Sequence, residues 1–255
     1  MEPWVSDFLN QYNDKNTFEL ATLPDGDVHF QANWILQHSK LPWLELVGID
    51  APYVGMLAEA QALQDMFVFH RGEEAGTRGW RSLAIHGISA TKTNVPETYG
   101  LDPEQVKYDW TEIQDRCPIT VNFFKQVFPY KRYQRLRFML VEPGGYIAPH
   151  SDNVNNTPGA AVNISLNNPT GCRLTNIYGS VPFRDTGSVF LFNNHYQHAV
   201  YNNSDTHRYH MIVHGTWRNP EWNHLVVSSY KEALKKMVET LKNALTPNNK
   251  QLAQK

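Results

Sequence analysis

From residue 133 onward the chain is written in short apolar runs, cut at regular intervals by glycine, proline and asparagine. The runs are 134–141, 146–148, 161–166, 173–178, 188–192, 198–201 and 208–215. Between them stand Pro143-Gly144-Gly145, Asn155-Asn156-Thr157-Pro158-Gly159, Asn167-Asn168-Pro169-Thr170-Gly171, Asp185-Thr186-Gly187 and Asn202-Asn203-Ser204-Asp205. Evenly spaced short strands with turn chemistry between them close into a sandwich or barrel. Seven runs fall just short of the roughly eight strands of a jelly roll. A mainly β fold with flanking helices is therefore expected, a double-stranded β-helix of the jelly-roll, cupin-like kind.

The texture before residue 133 is mixed. A short helix is expected over 5–12, a helix rich in good helix formers over 51–66, and a strand over 80–86. Pro118 precedes a stripe of Ile119, Phe123, Phe124 and Val127, which predicts a helix over 119–128 with proline near its first turn. At the other end Val226, Tyr230, Leu234, Met237, Leu241 and Leu245 recur at steps of four or three. Ser229-Tyr230-Lys231-Glu232 has capping-box spacing beside that stripe, and the helix is expected to lie on the outside of the sheet. The expected organisation is one domain over 1–255: a mixed elaboration over 1–132, the β core over 133–218, a helix over 219–246 and a fraying tail over 247–255.

Composition excludes several classes. Hydrophobic residues make up 41% of the 255 residues and aromatics 12%, enough for a sizeable core. With 23 basic and 25 acidic residues the formal charge is −2, so no broad electrostatic footprint for nucleic acid or anionic membrane is expected. Any anionic ligand must be held by a few placed residues. Cys117 and Cys172 are too few for a disulfide scaffold and read as buried thiols. The N-terminus has acids where a secretory signal has lysines and an apolar run, and no stretch approaches the roughly 20 apolar residues of a membrane span. The expected location is the cytoplasm.

The chemistry centres on Gly145-Tyr146-Ile147-Ala148-Pro149-His150-Ser151-Asp152. Side chains two apart on an extended segment share a face, so an imidazole and a carboxylate can reach one ion together. A third ligand must come from elsewhere. Two histidines and one carboxylate on one face of an octahedron leave three positions open, the donor set of non-haem iron(II) oxygenases. Alone, His-x-Asp is a weak signal that also arises in turns. Downstream, the run Gly187-Ser188-Val189-Phe190-Leu191-Phe192 leads into a segment holding both His195 and His198. Arg208 follows ten residues after His198. Periodicity does not choose between His195 and His198.

Taken together, Pro-Gly-Gly-Tyr-Ile-Ala-Pro-His-Ser-Asp, Gly-Ser-Val-Phe-Leu-Phe, His198-Ala-Val-Tyr-Asn and Arg208 resemble the aspartyl/asparaginyl β-hydroxylase family, which includes small bacterial cis-proline hydroxylases. The likeness spans about 133–218, with a fainter echo at Gly79-Trp80-Arg81-Ser82-Leu83. It implies an iron(II)- and 2-oxoglutarate-dependent dioxygenase that uses O2 and releases succinate. It implies His150, Asp152 and His198 as metal ligands, Arg208 on the distal carboxylate of 2-oxoglutarate, and Asn163 as a polar cosubstrate contact. By the same likeness His198 is preferred to His195. Some animal members have glycine at the position of Asp152 and a second arginine near 161, where this chain has Ala161. That places the chain nearer the three-ligand, proline-hydroxylase-like branch.

The expected substrate is an amino acid, free proline or Asp/Asn-like, or a residue within a peptide. Arg135 and Arg137 alternate with Leu136, Phe138 and Leu140. Either arginine could hold a substrate carboxylate, or both could belong to a solvated strand face. His207, His210 and His214 read as sheet or surface residues, although His210 and His214 share parity with Arg208 and one could line the pocket. The polar 153–159 segment reads as a lid over the ligands or as a long turn. Trp217 and Trp222 belong to the core or wall the pocket mouth. The rival class is a cupin-like metal-binding or sensor protein without oxygenase turnover. Such a protein has no need of a buried guanidinium ten residues past a ligand.

Overall fold

The computed structural model describes residues 20–152, 160–183, 187–215 and 219–245. The expected helix over 5–12, the 153–159 lid or turn, Trp217 and the tail over 247–255 lie outside them. Eleven strands form one continuous network among the described residues, with every pairing antiparallel. In chain order they are β1 (Trp43–Glu45), β2 (Val68–Phe69), β3 (Thr77–Gly87), β4 (Asp109–Trp110), β5 (Tyr133–His150), β6 (Ala160–Ser165), β7 (Cys172–Asn176), β8 (Gly179–Ser180), β9 (Val189–Asn193), β10 (His198–Asn202) and β11 (Arg208–Gly215). Among the described residues four α-helices flank them: α1 (Val28–His38), α2 (Tyr53–Ala62), α3 (Pro118–Gln126) and α4 (Pro220–Leu245).

The order β1-β9-β6-β11-β5-β10-β7-β8 passes through β5, which also pairs with β3. β5 is the corner of the structure. Its first half lies between β11 (Arg208 opposite Val141, His214 opposite Arg135) and β3 (Trp80 opposite Val141). Its second half lies beside β10, with His198 opposite His150. The sheet is thereby curled into the double-stranded β-helix, mainly β with helices outside.

Pro143-Gly144-Gly145, expected from its turn residues to be a break, does not end the strand. Pairing with β3 passes from Val141 straight to Tyr146, so 142–145 form an excursion within one strand. Gly144 takes φ 69°, and a Cβ on Gly145 would sit 2.8 Å from the carbonyl oxygens of Arg78 and Glu142. Only glycine fits backbone packed that closely.

Alternation sorts the side chains into two layers. Leu136, Phe138 and Leu140 of β5, Tyr209, Met211 and Val213 of β11, and Val162 and Ile164 of β6 face the larger core under the helices. Met139, Val141, Ile147, Phe190, Phe192, Leu174 and Val200 meet Trp43 and Trp80 in a second core inside the curl. That inner face also carries the site.

The helices follow their apolar faces, with corrections to the expected stripes. In α3 the buried residues are Thr120, Val121, Phe123 and Phe124, whereas Ile119 is 43% and Val127 55% exposed. The helix is rotated because Glu59 of α2 accepts from the Ile119 and Thr120 amides (2.6 and 3.0 Å) and from the Thr120 hydroxyl (2.6 Å). A carboxylate there satisfies the first-turn donors and the positive end of the helix dipole. α4 begins nine residues before Ser229, so the capping-box reading there is wrong. Asn219 Oδ1 accepts from the Trp222 amide (2.8 Å), with Pro220 next to it, and starts the helix. Ser229 is mid-helix and buried, and its hydroxyl accepts from the Val47 amide at 3.0 Å. Trp222 packs on Tyr130 and Phe128 in the outer core, not at a pocket mouth. No helix among the described residues is long and apolar enough to cross a membrane.

Candidate active site

A cavity of about 650 Å³ opens on the inner face of the curl, lined from β5, β6, β9, β10, β11 and the segment around His70. His150, the last residue of β5, and His198, the first of β10, are direct cross-strand partners. Their rings stand 4.4 Å apart between centroids. Asp152 lies just past β5, where its amide donates to the Asn194 carbonyl oxygen at 3.0 Å. That bond turns the carboxylate back to His150, with Oδ1 3.7 Å from Nε2. One donor atom from each of His150, Asp152 and His198 lies within 4.8 Å of the others. His195 is exposed and belongs to a separate surface hollow beside Tyr196 and Lys40, so it is not part of this cluster.

The supporting contacts aim the donors. His150 Nδ1 donates to the Ala148 carbonyl (2.8 Å) and His198 Nδ1 to the Tyr196 carbonyl (2.9 Å). Each bond fixes a tautomer that leaves Nε2 with its lone pair toward the cluster. Asn194 Nδ2 donates to Asp152 Oδ2 at 2.8 Å, leaving Oδ1 for an ion. Burial, followed by the neighbouring His150, pushes His198 down to about 4, so this imidazole is neutral at pH 7. Two imidazoles and one carboxylate suit a divalent cation that keeps open positions, so the donor set fits iron(II).

Arg208 is fully buried, and burial lowers its pKa from the ordinary guanidinium value without removing its charge. Its Nη1 donates to His210 Nδ1 (3.0 Å), and its guanidinium carbon lies 5.4 Å from the centre of the Phe183 ring. Its Nε and Nη2 are buried without a hydrogen-bond partner. A buried guanidinium whose only hydrogen-bonding neighbour among the described residues is a neutral imidazole is short of an anion. The carboxylate of a small diacid that also reaches the His–Asp–His cluster would supply it. Asn163, on β6, is also buried and lines the cavity.

Arg135 and Arg137 form no solvated strand face. Both line the cavity, and Arg137 is 5% exposed. The inner-face parity was legible in the sequence, but the curl that encloses that face was not. Arg137 donates to the Thr93 carbonyl (3.0 Å), to His214 Nε2 (3.1 Å) and, at 3.4 Å, to His70 Nε2. Burial and then Arg137 hold His70 and His214 well below the usual imidazole range, so both accept as neutral rings. His210 is held down by burial and then Arg208. His210 and His214 therefore both face the cavity, where one was expected, while His207 is only half-buried and outside it. His70, Arg71, Asn94 and Asn194 were not singled out in the sequence. Asn194 could have been found as the polar residue ending the run into the second histidine; His70 and Arg71 carried no motif.

Cys117 and Cys172 are buried free thiols. Burial, then Glu59, pushes Cys117 up to about 12, which makes it inert.

A family model described as aspartyl/asparaginyl beta-hydroxylase matches residues 54–218. Similar solved structures include a 2OG-Fe(II) oxygenase family oxidoreductase from Burkholderia pseudomallei (16% identity, 80% of this chain and 97% of that one, TM-score 0.46). A Pseudomonas putida prolyl-4-hydroxylase is also similar (14% identity, 76% and 100%, TM-score 0.41). So is a prolyl hydroxylase from Trichoplax adhaerens in complex with a hypoxia inducible factor peptide fragment (14% identity, 74% and 90%, TM-score 0.42). No curated protein matches the sequence.

Proposed function

Because the chain belongs to the aspartyl/asparaginyl β-hydroxylase family, we propose that it hydroxylates an unactivated C–H bond of an amino acid, free (proline or Asp/Asn-like), or of an amino-acid residue within a peptide. It is an iron(II)- and 2-oxoglutarate-dependent oxygenase that uses O2. In this reading His150, Asp152 and His198 hold the metal. Arg208 grips the distal carboxylate of 2-oxoglutarate, with Asn163 as a further polar contact. Arg135 and Arg137 hold the substrate.

The observation that carries the reading is the pairing of a donor triad within 4.8 Å with a buried guanidinium whose Nε and Nη2 lack partners, in one cavity. When bound, iron(II) and 2-oxoglutarate supply the oxidising power: the ketoacid and O2 become succinate and CO2, and one oxygen atom enters the substrate C–H bond. The chain's own tasks are binding and aim. His150, Asp152 and His198 would hold the ion from one side and leave it accessible to the cosubstrate and O2. The Ala148 and Tyr196 carbonyls and Asn194 fix the ligand orientations before anything binds. Arg208 adds a charge-assisted contact of about 1.5–3 kcal/mol to the cosubstrate. The apolar wall of Ile147, Leu174, Phe192 and Val200 limits water around the reacting centre.

The test is succinate release from 2-oxoglutarate with iron(II), ascorbate and O2, screened over free amino acids and short peptides. His150→Ala should abolish release. Wild type and His150→Ala behaving alike with every substrate, with no anaerobic binding of 2-oxoglutarate, would overturn the assignment.

A further inference from the structure

Two buried guanidinia face the cavity where one distal carboxylate of 2-oxoglutarate needs only one. Arg137 is buried almost as deeply as Arg208 (5% against 0% exposed) and is held by the Thr93 carbonyl and neutral imidazoles, with no acid among its hydrogen-bond partners in the described residues. Its Nε is buried without a partner, as is that of Arg135 two residues earlier on the same face of β5. Arg71 continues the series to the exposed rim, its guanidinium carbon 5.9 Å from the Trp80 ring. Among the described residues Asp152 is the only acid lining the cavity, against Arg71, Arg135, Arg137 and Arg208. Counting imidazoles as neutral, the wall carries a formal charge of +3. An iron(II) ion and a 2-oxoglutarate dianion cancel each other and leave that surplus standing. Uncompensated buried charge is strongly unfavourable, and a file of arginines running from exposed Arg71 to buried Arg137 is stabilised by an anion seated among them.

We infer that the substrate is a small acid carrying at least two carboxylates, seated along Arg137, Arg135 and Arg71 while 2-oxoglutarate occupies Arg208. The inference rests on the oxygenase reading of the same cavity. Arg137 takes the innermost carboxylate, since its position is fixed by Thr93 and His214. Arg135 and Arg71 take the outer one, and Arg71 at the rim draws the anion in. A monocarboxylate such as free proline would leave the outer pair unmatched. Among the substrates considered above, the arginine file thus favours the diacids.

The test is anaerobic calorimetry on the iron(II)-loaded protein at saturating 2-oxoglutarate, so that Arg208 is already occupied. The probes are malate, aspartate, adipate and tricarballylate, each against its monocarboxylate or monoamide counterpart. At least one diacid or triacid should bind tenfold or more tightly than its counterpart. Arg137→Gln and Arg135→Gln should each weaken that binding at least tenfold while 2-oxoglutarate affinity stays within twofold. Because Arg137 is buried, Arg71→Gln serves as the variant whose folding is not at stake, and it should weaken binding severalfold, more at low salt than at high. Equal binding of diacids and monoacids, no binding of any polyacid, or polyacid binding indifferent to all three substitutions would overturn the inference. Failure of 2-oxoglutarate itself to bind would instead sink the oxygenase assignment.

Discussion

Replacing Arg208 with methionine separates a binding role from a structural one. In the ligand-free protein the Arg208 guanidinium is fully buried and donates one hydrogen bond, to His210. Exchanging a buried charge for an apolar side chain of similar length is often neutral or stabilising by about 1–4 kcal/mol. The variant without ligand should therefore melt no lower than wild type. Ligand reverses the order. At 2-oxoglutarate one hundredfold above its Kd, linkage stabilises wild type by about 2.7 kcal/mol. For a domain of this size that is a rise of roughly 5–10 °C in Tm. Losing about 1.5–3 kcal/mol of the arginine contact leaves only about 0.3–1.3 kcal/mol at the same concentration. The ligand-induced rise then shrinks to roughly 1–5 °C. The assay is thermal unfolding by circular dichroism with iron(II) under anaerobic conditions, with and without 2-oxoglutarate. A ligand-free Arg208→Met that melts far below wild type yet keeps the full ligand-induced rise would refute the reasoning and make Arg208 a structural residue.

Asn194→Ala removes the donor on Asp152 Oδ2, and should weaken iron(II) binding about 10–100-fold with little change in Tm of the metal-free protein, read by anaerobic metal titration. Trp222→Ala opens a cavity in the outer core beside Tyr130 and should lower stability by about 3–5 kcal/mol, measured by urea unfolding, while KM for 2-oxoglutarate well below Tm is unchanged. Gly145→Ala forces a Cβ against two carbonyl oxygens at 2.8 Å and should destabilise by roughly 1–3 kcal/mol in the same unfolding assay.

What the sequence disclosed follows from which signals are local. The Arg208–Gly215 strand was legible to the residue, because Tyr209, Met211 and Val213 recur at every second position and the turn residues Asn202-Asn203-Ser204-Asp205 precede it. The His–Asp–His cluster was legible once a motif joined its two segments, since the cross-strand pairing of His150 and His198 is not itself written locally. Other features depend on tertiary context. β1, β2 and β4 are two or three residues long and exist only through their partners. α1 went unread, although Asp27 caps it by accepting from the Phe30 amide at 2.8 Å, because only Ala32 and Ile35 of its eleven residues are fully buried. Pro143-Gly144-Gly145 was read as a break because its residues favour turns, whereas β3 and the second half of β5 resume pairing beyond it. The environment of Arg137 is set by His70, Thr93 and His214, drawn from segments up to 77 residues away. Spacing along one strand places such a residue on a face but does not say what closes over that face.

The account turns on one divalent ion shared by two stretches of chain, and anaerobic iron(II) titration of wild type and His198→Ala measures that directly. Wild type should bind one iron(II) per chain, and the variant should lose that site while keeping its fold by circular dichroism. A folded His198→Ala that binds iron(II) as tightly as wild type would contradict the shared site and the chemistry built on it.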